Sequence, residues 1–327
     1  MILACAAVAA CTPSPSSPPS PPGASPAPPA PSFGALSWTS LAGVPSPRTE
    51  VAAAEAGGRI YVVGGFVADG ATVATVEVLE TATGRWSRGP DLPVAVNHAM
   101  AAVVAGTVYV FGGYLSGNVP SAAAFRFEEG AWRAVASMPQ GRAAGTAAVV
   151  GGVVHIAGGI ATGGGLADAM LRYDVAADRW STAAGPPTRR EHLGGAAFDG
   201  RVYTVGGRTG GVAGNLTAFE VFDTRTGTWS RLPDLPTRRG GLAAAAICSG
   251  RIIAVGGEAA ETFAEVEAYD VRTGAWHALP DLPTPRHGLG VVAIGTVLYT
   301  LAGGPHPGLH VADATEVLDT APLGPCR

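Results

Sequence analysis

A glycine pair and a tryptophan recur six times along this chain, at intervals of about 48 residues. The glycine pairs are Gly64-Gly65, Gly112-Gly113, Gly158-Gly159, Gly206-Gly207, Gly256-Gly257 and Gly303-Gly304. The tryptophans are Trp38, Trp86, Trp132, Trp180, Trp229 and Trp276. A period of this length indicates an array of one supersecondary unit. Such an array folds as one domain, because each unit buries its apolar face against its neighbours.

Composition favours an all-β chain that does not bind nucleic acid. The 327 residues are 47% hydrophobic and only 14% charged, so apolar surface for a core is ample. The 47 glycines and 27 prolines divide the chain into short segments, as turns between strands do. The formal net charge of −4, without a run of basic residues, argues against nucleic-acid partners, which need a basic surface.

Each unit contains four predicted strands. In the first complete unit, small residues at 51–56 precede a β-branched and aromatic run at 59–63, which leads into the glycine pair. A third strand follows at 76–79, and a Thr-Gly turn then leads to a short strand that carries the tryptophan. Four antiparallel strands of this kind predict a propeller blade, in which small residues suit the crowded innermost strand.

A large apolar residue lies seven positions before most of the tryptophans. We expect each of these side chains to pack with its tryptophan between blades, where burial of aromatic rings stabilises the fold. They are Leu79, Phe125, Tyr173, Phe222 and Tyr269.

The glycine pair, the downstream aromatic residue and the tryptophan resemble the kelch-repeat family over about residues 36–319. The resemblance implies an all-β, six-bladed β-propeller of four-stranded kelch-type blades within a domain of residues 33–327. Trp38 has no glycine pair before it, and the last unit has no tryptophan after it. We therefore expect residues 36–41 to complete the blade built from residues 286–319 and to close the ring, which covers an exposed sheet edge.

The first eleven residues, MILACAAVAAC, predict export. Their apolar stretch is too short to span a bilayer, which takes about 20 residues, but it suits a signal. The end at Val8-Ala9-Ala10-Cys11 resembles a bacterial lipobox. This implies a lipid on Cys11 that anchors the chain to the outer side of a membrane of the cell envelope, with an ordinary cleaved signal as the alternative. Residues 12–32, with ten prolines and six serines, predict an extended stalk.

Cys248 and Cys326 are the cysteines beyond the signal. Export favours a disulfide between them, which would fix the C-terminal tail to the fifth blade. Two free thiols are the alternative, since spacing alone does not establish proximity.

An arginine recurs shortly before the first strand of five units. The second unit departs from this pattern and has Asn97-His98 there. A ring of guanidinium groups would bind carboxylates through paired hydrogen bonds. Alternatively, each arginine bonds loop carbonyls and has a structural role. The five are Arg48, Arg142, Arg190, Arg239 and Arg286.

Polar residues that do not recur are better ligand candidates, because the fold does not require them. Near the first strands these are His98, Glu191, His192 and His287. After the glycine pairs they are Arg208 and Glu258, together with Phe66, Tyr114, His306 and His310. No HExxH, CxxC, P-loop or GxSxG motif occurs, so the sequence predicts no metal site, no cofactor and no catalytic set.

These observations favour a non-catalytic, monomeric propeller that binds a protein or a glycan. Binding is expected on the loop face, which carries the loops after the glycine pairs. The alternative is a sugar epimerase or mutarotase of the sialic acid type, an activity that the kelch resemblance includes and that needs acid and base groups in one pocket. Converging Glu, His and Arg side chains would favour the enzyme, and a broad surface with exposed Phe66 and Tyr114 would favour binding.

Overall fold

The computed structural model describes residues 36–326, and the predicted signal, the predicted lipidation of Cys11 and the predicted stalk lie outside this range. The described chain forms six four-stranded antiparallel sheets, which are the blades of a β-propeller. The predicted all-β, six-bladed fold is therefore confirmed. The helices of residues 36–326 are two 3-10 turns, Val212–Gly214 and Ala321–Leu323, and neither has the length and apolar character to cross a membrane.

The blades are numbered in chain order, and the strands of each are named a to d from the channel axis outwards. Blade 1 consists of Ala52–Ala56, Arg59–Val63, Val76–Glu80 and Arg85–Arg88. Blade 2 consists of Met100–Val104, Thr107–Phe111, Ala124–Glu128 and Ala131–Ala134. Blade 3 consists of Thr146–Val150, Val153–Ala157, Ala169–Asp174 and Arg179–Ala184. Blade 4 consists of Gly194–Phe198, Arg201–Val205, Phe219–Asp223 and Thr228–Arg231. Blade 5 consists of Ala243–Ile247, Arg251–Val255, Val266–Asp270 and Ala275–Ala278. Blade 6 consists of Gly290–Ile294, Val297–Leu301, Thr315–Asp319 and Trp38–Ser40. Two-residue strands also pair in the loops, Tyr114–Leu115 with Val119–Pro120 and Arg142–Ala143 with Ile160–Ala161.

The N-terminal strand closes the ring, as the sequence predicts. Trp38–Ser40 pairs antiparallel with Thr315–Asp319, and Trp38 lies opposite Leu318. Strand d of blade 6 therefore comes from the start of the described chain, while strands a to c come from its end. Contacts between neighbouring a strands run all the way around the channel.

The core lies between adjacent blades. One cluster joins Tyr61 and Val78 of blade 1 to Val110 and Trp132 of blade 2. At the axis the blades are closer still, because a Cβ added at Gly290 of blade 6 would lie 2.6 Å from the Ala53 Cβ of blade 1. This crowding explains why strand a is built from Ala, Gly and Val.

All six tryptophans make the same hydrogen bond to the preceding blade. Each indole Nε1 donates, over 2.7–2.9 Å, to a backbone carbonyl at the end of strand d or in the link that follows it. This N–H donor, which phenylalanine and tyrosine rings lack, is the reason why tryptophan recurs. The acceptors, in chain order of the tryptophans, are Pro280, Ala42, Pro90, Ala136, Ala184 and Pro233.

The aromatic partners follow the predicted spacing in four blades but not in blade 2. Phe127, and not the predicted Phe125, lies opposite Trp132, with ring centroids 5.1 Å apart. The prediction was wrong because the turn between strands c and d of blade 2 has two residues instead of four. The pairs that agree are Leu79–Trp86, Tyr173–Trp180, Phe222–Trp229 and Tyr269–Trp276.

Each glycine pair lies where its blade meets the next one. Gly64 has a φ of +62, and a Cβ there would lie 2.3 Å from the Val96 carbonyl oxygen. Both facts demand glycine. The N–H of Gly65 donates to the same oxygen over 2.8 Å.

In blade 6 this position is occupied by Ala302-Gly303, so the predicted sixth pair is shifted by one residue. The N–H of Gly303 donates to the Arg48 carbonyl over 2.7 Å, as the second glycine does elsewhere. Ala302 takes the place of the first glycine, with a φ of 55. Gly304 therefore belongs to the loop that follows.

A disulfide joins Cys248, directly after strand a of blade 5, to Cys326 in the C-terminal tail. The two residues are 78 positions apart in the chain, and their Cα atoms lie 4.6 Å apart. The bond holds the tail, whose Leu323 is buried in the same core cluster as Ile247 of blade 5.

Replacing Cys326 with Ser is expected to lower the free energy of unfolding by about 2–4 kcal/mol, because the unfolded chain loses the constraint of a long loop. Urea unfolding of the oxidised chain and of the variant measures the difference. The same loss should appear when the unchanged protein is reduced, and a reduced protein as stable as the oxidised one would contradict the expectation.

Candidate functional site

The five recurring arginines are fully buried inside the blades. Arg190 is representative, since its guanidinium donates to the carbonyl oxygens of Thr188, Thr204 and Gly206 in its own blade. The guanidinium groups therefore do not form a carboxylate-binding ring on the loop face. The alternative interpretation, in which each arginine bonds backbone carbonyls inside its blade, describes them. They are Arg48, Arg142, Arg190, Arg239 and Arg286.

A buried glutamate on strand c, which the sequence analysis missed, completes four of these sites. Arg190 Nη1, for example, lies 2.6 Å from Glu220 Oε2. Blade 3 has Leu171 at the glutamate position, and burial lowers the pKa of its arginine, Arg142, to about 10. The pairs are Arg48–Glu77, Arg190–Glu220, Arg239–Glu267 and Arg286–Glu316.

Blade 2 replaces both charges with apolar side chains. The N–H of Gly65 donates to the carbonyl of Val96, just as Gly113 donates to Arg142, so Val96 holds the arginine position. Phe125 holds the glutamate position, opposite Val110 on strand b. The predicted equivalence of Asn97-His98 with the arginines was therefore wrong by one or two residues.

A ring of six left-handed residues surrounds the mouth of the channel. Each lies two positions after the arginine, or after Val96 in blade 2, and has a φ between 52 and 69. Five of them donate a backbone N–H to the carbonyl of the equivalent residue in the preceding blade, over 2.8–3.0 Å. They are Glu50, His98, Ala144, His192, Gly241 and Gly288.

Three ring positions carry long polar side chains in a conformation that costs an L-residue about 1–2 kcal/mol. The other three are alanine or glycine, so the fold itself needs no side chain there. Strained residues of this kind cluster at functional sites, which makes Glu50, His98 and His192 the strongest candidates. Glu50 is absent from the sequence candidates, although it follows Arg48 at the same distance as His192 follows Arg190.

The three side chains meet at the channel mouth. His98 Nε2 lies 2.9 Å from His192 Nε2 and 3.1 Å from Glu50 Oε2. On its other side, His98 Nδ1 lies 2.6 Å from Asn97 Oδ1. Burial lowers the pKa of His98 to about 4, although the Glu50 carboxylate acts in the opposite direction.

Ion pairs continue from His192 towards blade 5. His192 Nδ1 is hydrogen-bonded to Glu191 Oε2. Arg208 lies between two carboxylates, with Nε 3.1 Å from Glu191 Oε1 and Nη1 2.6 Å from Glu258 Oε1. Burial alone would raise the pKa of Glu191, but His192 and Arg208 hold it below its usual range. Glu191 is therefore ionised and accepts hydrogen bonds only.

His287 connects the two ends of this network. Its Nδ1 lies 3.1 Å from Glu50 Oε1 and 3.7 Å from Glu258 Oε2, and its Nε2 lies 3.1 Å from the His306 carbonyl oxygen. Burial would lower the pKa of His287, but the Glu50 carboxylate raises it above its ordinary value. A carbonyl oxygen and a carboxylate oxygen only accept, so both ring nitrogens of His287 donate and the ring is an imidazolium.

A cup of about 810 Å³ opens above the ring on the loop face. Phe66, Tyr114 and Leu309 line it together with His98 and His192. The same two histidines also line the upper channel of about 160 Å³ that runs between the a strands. His306 and His310 pack against each other, with ring centroids 5.3 Å apart, and are not among the described residues that line the cup.

Comparison with known sequences identifies the repeat. Residues 33–186 and 97–304 match the KLHDC2/KLHL20/DRC7 Kelch-repeats domain, and together these ranges cover most of the chain. The chain belongs to the kelch-repeat family. Kelch domains generally bind proteins, so the family favours a binding role and gives no support to the sugar epimerase alternative.

Several kelch proteins are similar to parts of this kelch chain. Kelch-like protein terF of Aspergillus terreus is 31% identical over 188 residues, which are 52% of this chain and 41% of that protein. Kelch-like protein 36 of Mus musculus is 38% identical over 69 residues, 21% of this chain and 11% of that protein. An F-box/kelch-repeat protein of Arabidopsis thaliana is 31% identical over 99 residues, 29% of this chain and 26% of that protein. The matched part is thus less than half of each relative.

Proposed function

We propose that this kelch chain is a non-catalytic binding propeller that recognises a protein partner through the cup on its loop face. The observation that carries the proposal is the position of the exposed apolar side chains. Of the four large hydrophobic residues exposed within residues 36–326, three lie in the loops that follow the glycine pairs. They are Val119, Val212 and Leu309. Leu309 lines the cup, and Val119 and Val212 lie within two positions of its lining residues Asn118 and Gly210. Exposed apolar groups of this kind are typical of protein interaction sites.

The cup itself combines aromatic side chains with fixed polar groups. Phe66 and Tyr114 flank His98, with ring centroids 6.0 and 5.5 Å from the imidazole. Arg208 and Glu191 line the same cup and are already paired with each other. Aromatic side chains beside satisfied polar groups favour a site that binds a partner over one that transforms a substrate.

Site-specific photocrosslinking tests this proposal. A photoreactive amino acid at Val119, Val212 or Leu309 of the full chain, in its native cells, is expected to give one discrete protein adduct. Exposed turns between strands a and b, such as Asp199, point to the other face of the propeller and serve as the matched control. Equal adducts from both faces, or none from the cup, would contradict a protein partner there. Binding of an acidic sugar on a glycan array would instead favour a glycan.

The sugar epimerase alternative predicts turnover. Glu191, His192 and Arg208 do converge at the channel mouth, which is the observation that favours it. Mutarotation of sialic acid followed by NMR separates the two functions. A rate above the spontaneous one that disappears in His192→Ala would overturn the non-catalytic proposal.

We further propose that the propeller is displayed on the outer side of a membrane through a lipid on Cys11 and the stalk of residues 12–32. The lipobox-like end of the signal supports this, and so does the disulfide, since such bonds persist in oxidising compartments. Metabolic labelling of native cells with a fatty-acid analogue should mark the chain but not the Cys11→Ser variant. Labelling of neither would refute the anchor.

A further inference from the structure

We propose that Glu50, His98 and His192 form a binding site for a divalent transition-metal ion of the Zn²⁺ type at the mouth of the channel. This goes beyond the binding function proposed above and does not depend on it. It also replaces the expectation from sequence that the chain has no metal site.

The hydrogen bonds of His98 and His192 indicate which nitrogen of each imidazole donates a proton and which is available to bind a metal ion. Glu191 Oε1 already accepts from Arg208 Nε and Glu191 Oε2 faces His192 Nδ1, so Nδ1 is the nitrogen of His192 that donates. Asn97 Nδ2 donates to Thr72 Oγ1 over 2.8 Å, which directs the Asn97 oxygen at His98 Nδ1. With the proton of each ring on Nδ1, the two Nε2 atoms point at each other and each has a lone pair for a metal ion.

Three acceptors then face one another with no donor between them. The two Nε2 atoms are 2.9 Å apart, and Glu50 Oε2 lies 3.1 Å from that of His98. Such a contact is repulsive unless a cation lies within it. His287 does not supply the cation, because its Nδ1 proton is directed at the other oxygen of Glu50.

The distances suit an ion. The ligand atoms of the three side chains all lie within 4.8 Å of one another. An ion with tetrahedral bonds of about 2.0–2.1 Å separates neighbouring ligand atoms by about 3.3 Å. The two contacts of His98 Nε2, at 2.9 and 3.1 Å, are therefore within a few tenths of an ångström of that separation. Two imidazole nitrogens with one carboxylate favour Zn²⁺ and its first-row neighbours over Mg²⁺ or Ca²⁺.

The surroundings also match those of a metal site. Metal-bound histidines generally donate their second nitrogen to a carboxylate or another oxygen, as His192 does to Glu191 and His98 does to Asn97. Metal binding requires both histidines as neutral ligands, and the three carboxylates of this network then outnumber its two cations, Arg208 and His287. The ligands come from a rigid backbone ring, and both histidines line the cup, from which a fourth ligand can reach the ion.

A second group of possible metal ligands lies beside the first, but it does not need a metal ion. Glu50, Glu258 and His287 also bring their ligand atoms within 4.8 Å. There, however, the proton of His287 already lies between the carboxylates, and Arg208 pairs with Glu258. The positive charges that this second group needs therefore come from the chain itself, whereas no donor of the described chain lies between the Nε2 atoms of His98 and His192.

The test is zinc titration of the full chain after EDTA treatment and desalting. Calorimetry and metal analysis are expected to show one Zn²⁺ per chain, and Co²⁺ as a spectroscopic probe should give visible absorption with the same stoichiometry. His98→Ala and His192→Ala should each lose the bound ion. These variants are expected to fold, because Ala144 occupies the same ring position in blade 3. Glu191→Gln should weaken the affinity about 10- to 100-fold, since it orients His192.

His306→Ala combined with His310→Ala is the matched control, because this adjacent pair is the other place where two imidazoles meet in the described chain near the loop face. It should leave the stoichiometry at one. Failure of the unchanged protein to bind Zn²⁺ would overturn the metal site. A proton shared between His98 and His192 would then explain the contact between their Nε2 atoms. Binding that survives His192→Ala, or that disappears in the control, would overturn it as well. None of these outcomes affects the crosslinking result.

Discussion

A chain that begins at residue 43 is expected to melt about 10 °C below a chain that begins at residue 33. The shorter chain lacks strand d of blade 6, so Thr315–Asp319 becomes an exposed edge. It also loses the Trp38 indole that donates to the Pro280 carbonyl, and the Ala42 carbonyl that accepts from Trp86. For a domain of this size a shift of about 10 °C corresponds to roughly 4 kcal/mol.

Differential scanning calorimetry of the two chains measures this effect. The chain that begins at residue 33 is the control, because it lacks residues 1–32 but keeps the whole described ring. Trp38→Phe in that chain separates the two contributions, since it removes the indole hydrogen bond and leaves the strand. Equal melting temperatures for the two chains would show that closure by residues 38–40 does not stabilise the propeller.

The second large effect is expected from Glu220→Ala, which should lower the free energy of unfolding by about 3–5 kcal/mol. Arg190 is fully buried, and Glu220 Oε2 lies 2.6 Å from its Nη1. Removal of the carboxylate leaves a guanidinium in the blade with carbonyl partners only. It also removes the acceptor for the Thr188 hydroxyl and N–H, which fix the link before blade 4.

Asp234→Ala is the matched control, because Asp234 pairs with Arg231 in the same blade over 3.0 Å but both side chains are exposed. Its effect should stay below about 1 kcal/mol. Urea unfolding of the two variants and the unchanged protein gives the comparison. A loss for Glu220→Ala as small as that for Asp234→Ala would mean that the blade tolerates a buried arginine with carbonyl acceptors alone, as blade 3 does with Arg142.

The sequence contains the information for the fold because the fold repeats. Six tryptophans mark six outer strands. The strand of Trp38 has no glycine pair before it and the last unit has no tryptophan after it, so together these two segments show how the ring closes. The errors are local, since one short turn moved the partner of Trp132 from Phe125 to Phe127, and one alanine hid the sixth glycine position. Periodicity determines which positions are equivalent only when no residue is inserted or deleted between them.

The candidate site, in contrast, consists of residues that do not recur in every blade. Glu50, His98 and His192 lie 48 and 94 residues apart along the chain, and each shares its ring position with an alanine or a glycine in another blade. No local motif can connect them. The same is true of the glutamates that accompany the buried arginines, because each pair joins a link to a strand about 30 residues later.

The sequence by itself therefore determined the number of blades, the closure of the ring and the candidate histidines, because these depend on a pattern that recurs along one chain. Only the tertiary structure decided that the arginines are internal and that Glu50 meets His98 and His192. The physical reason is that closing a ring around an axis brings equivalent positions of different blades within hydrogen-bonding distance. The character of the site then depends on which blades carry a side chain there.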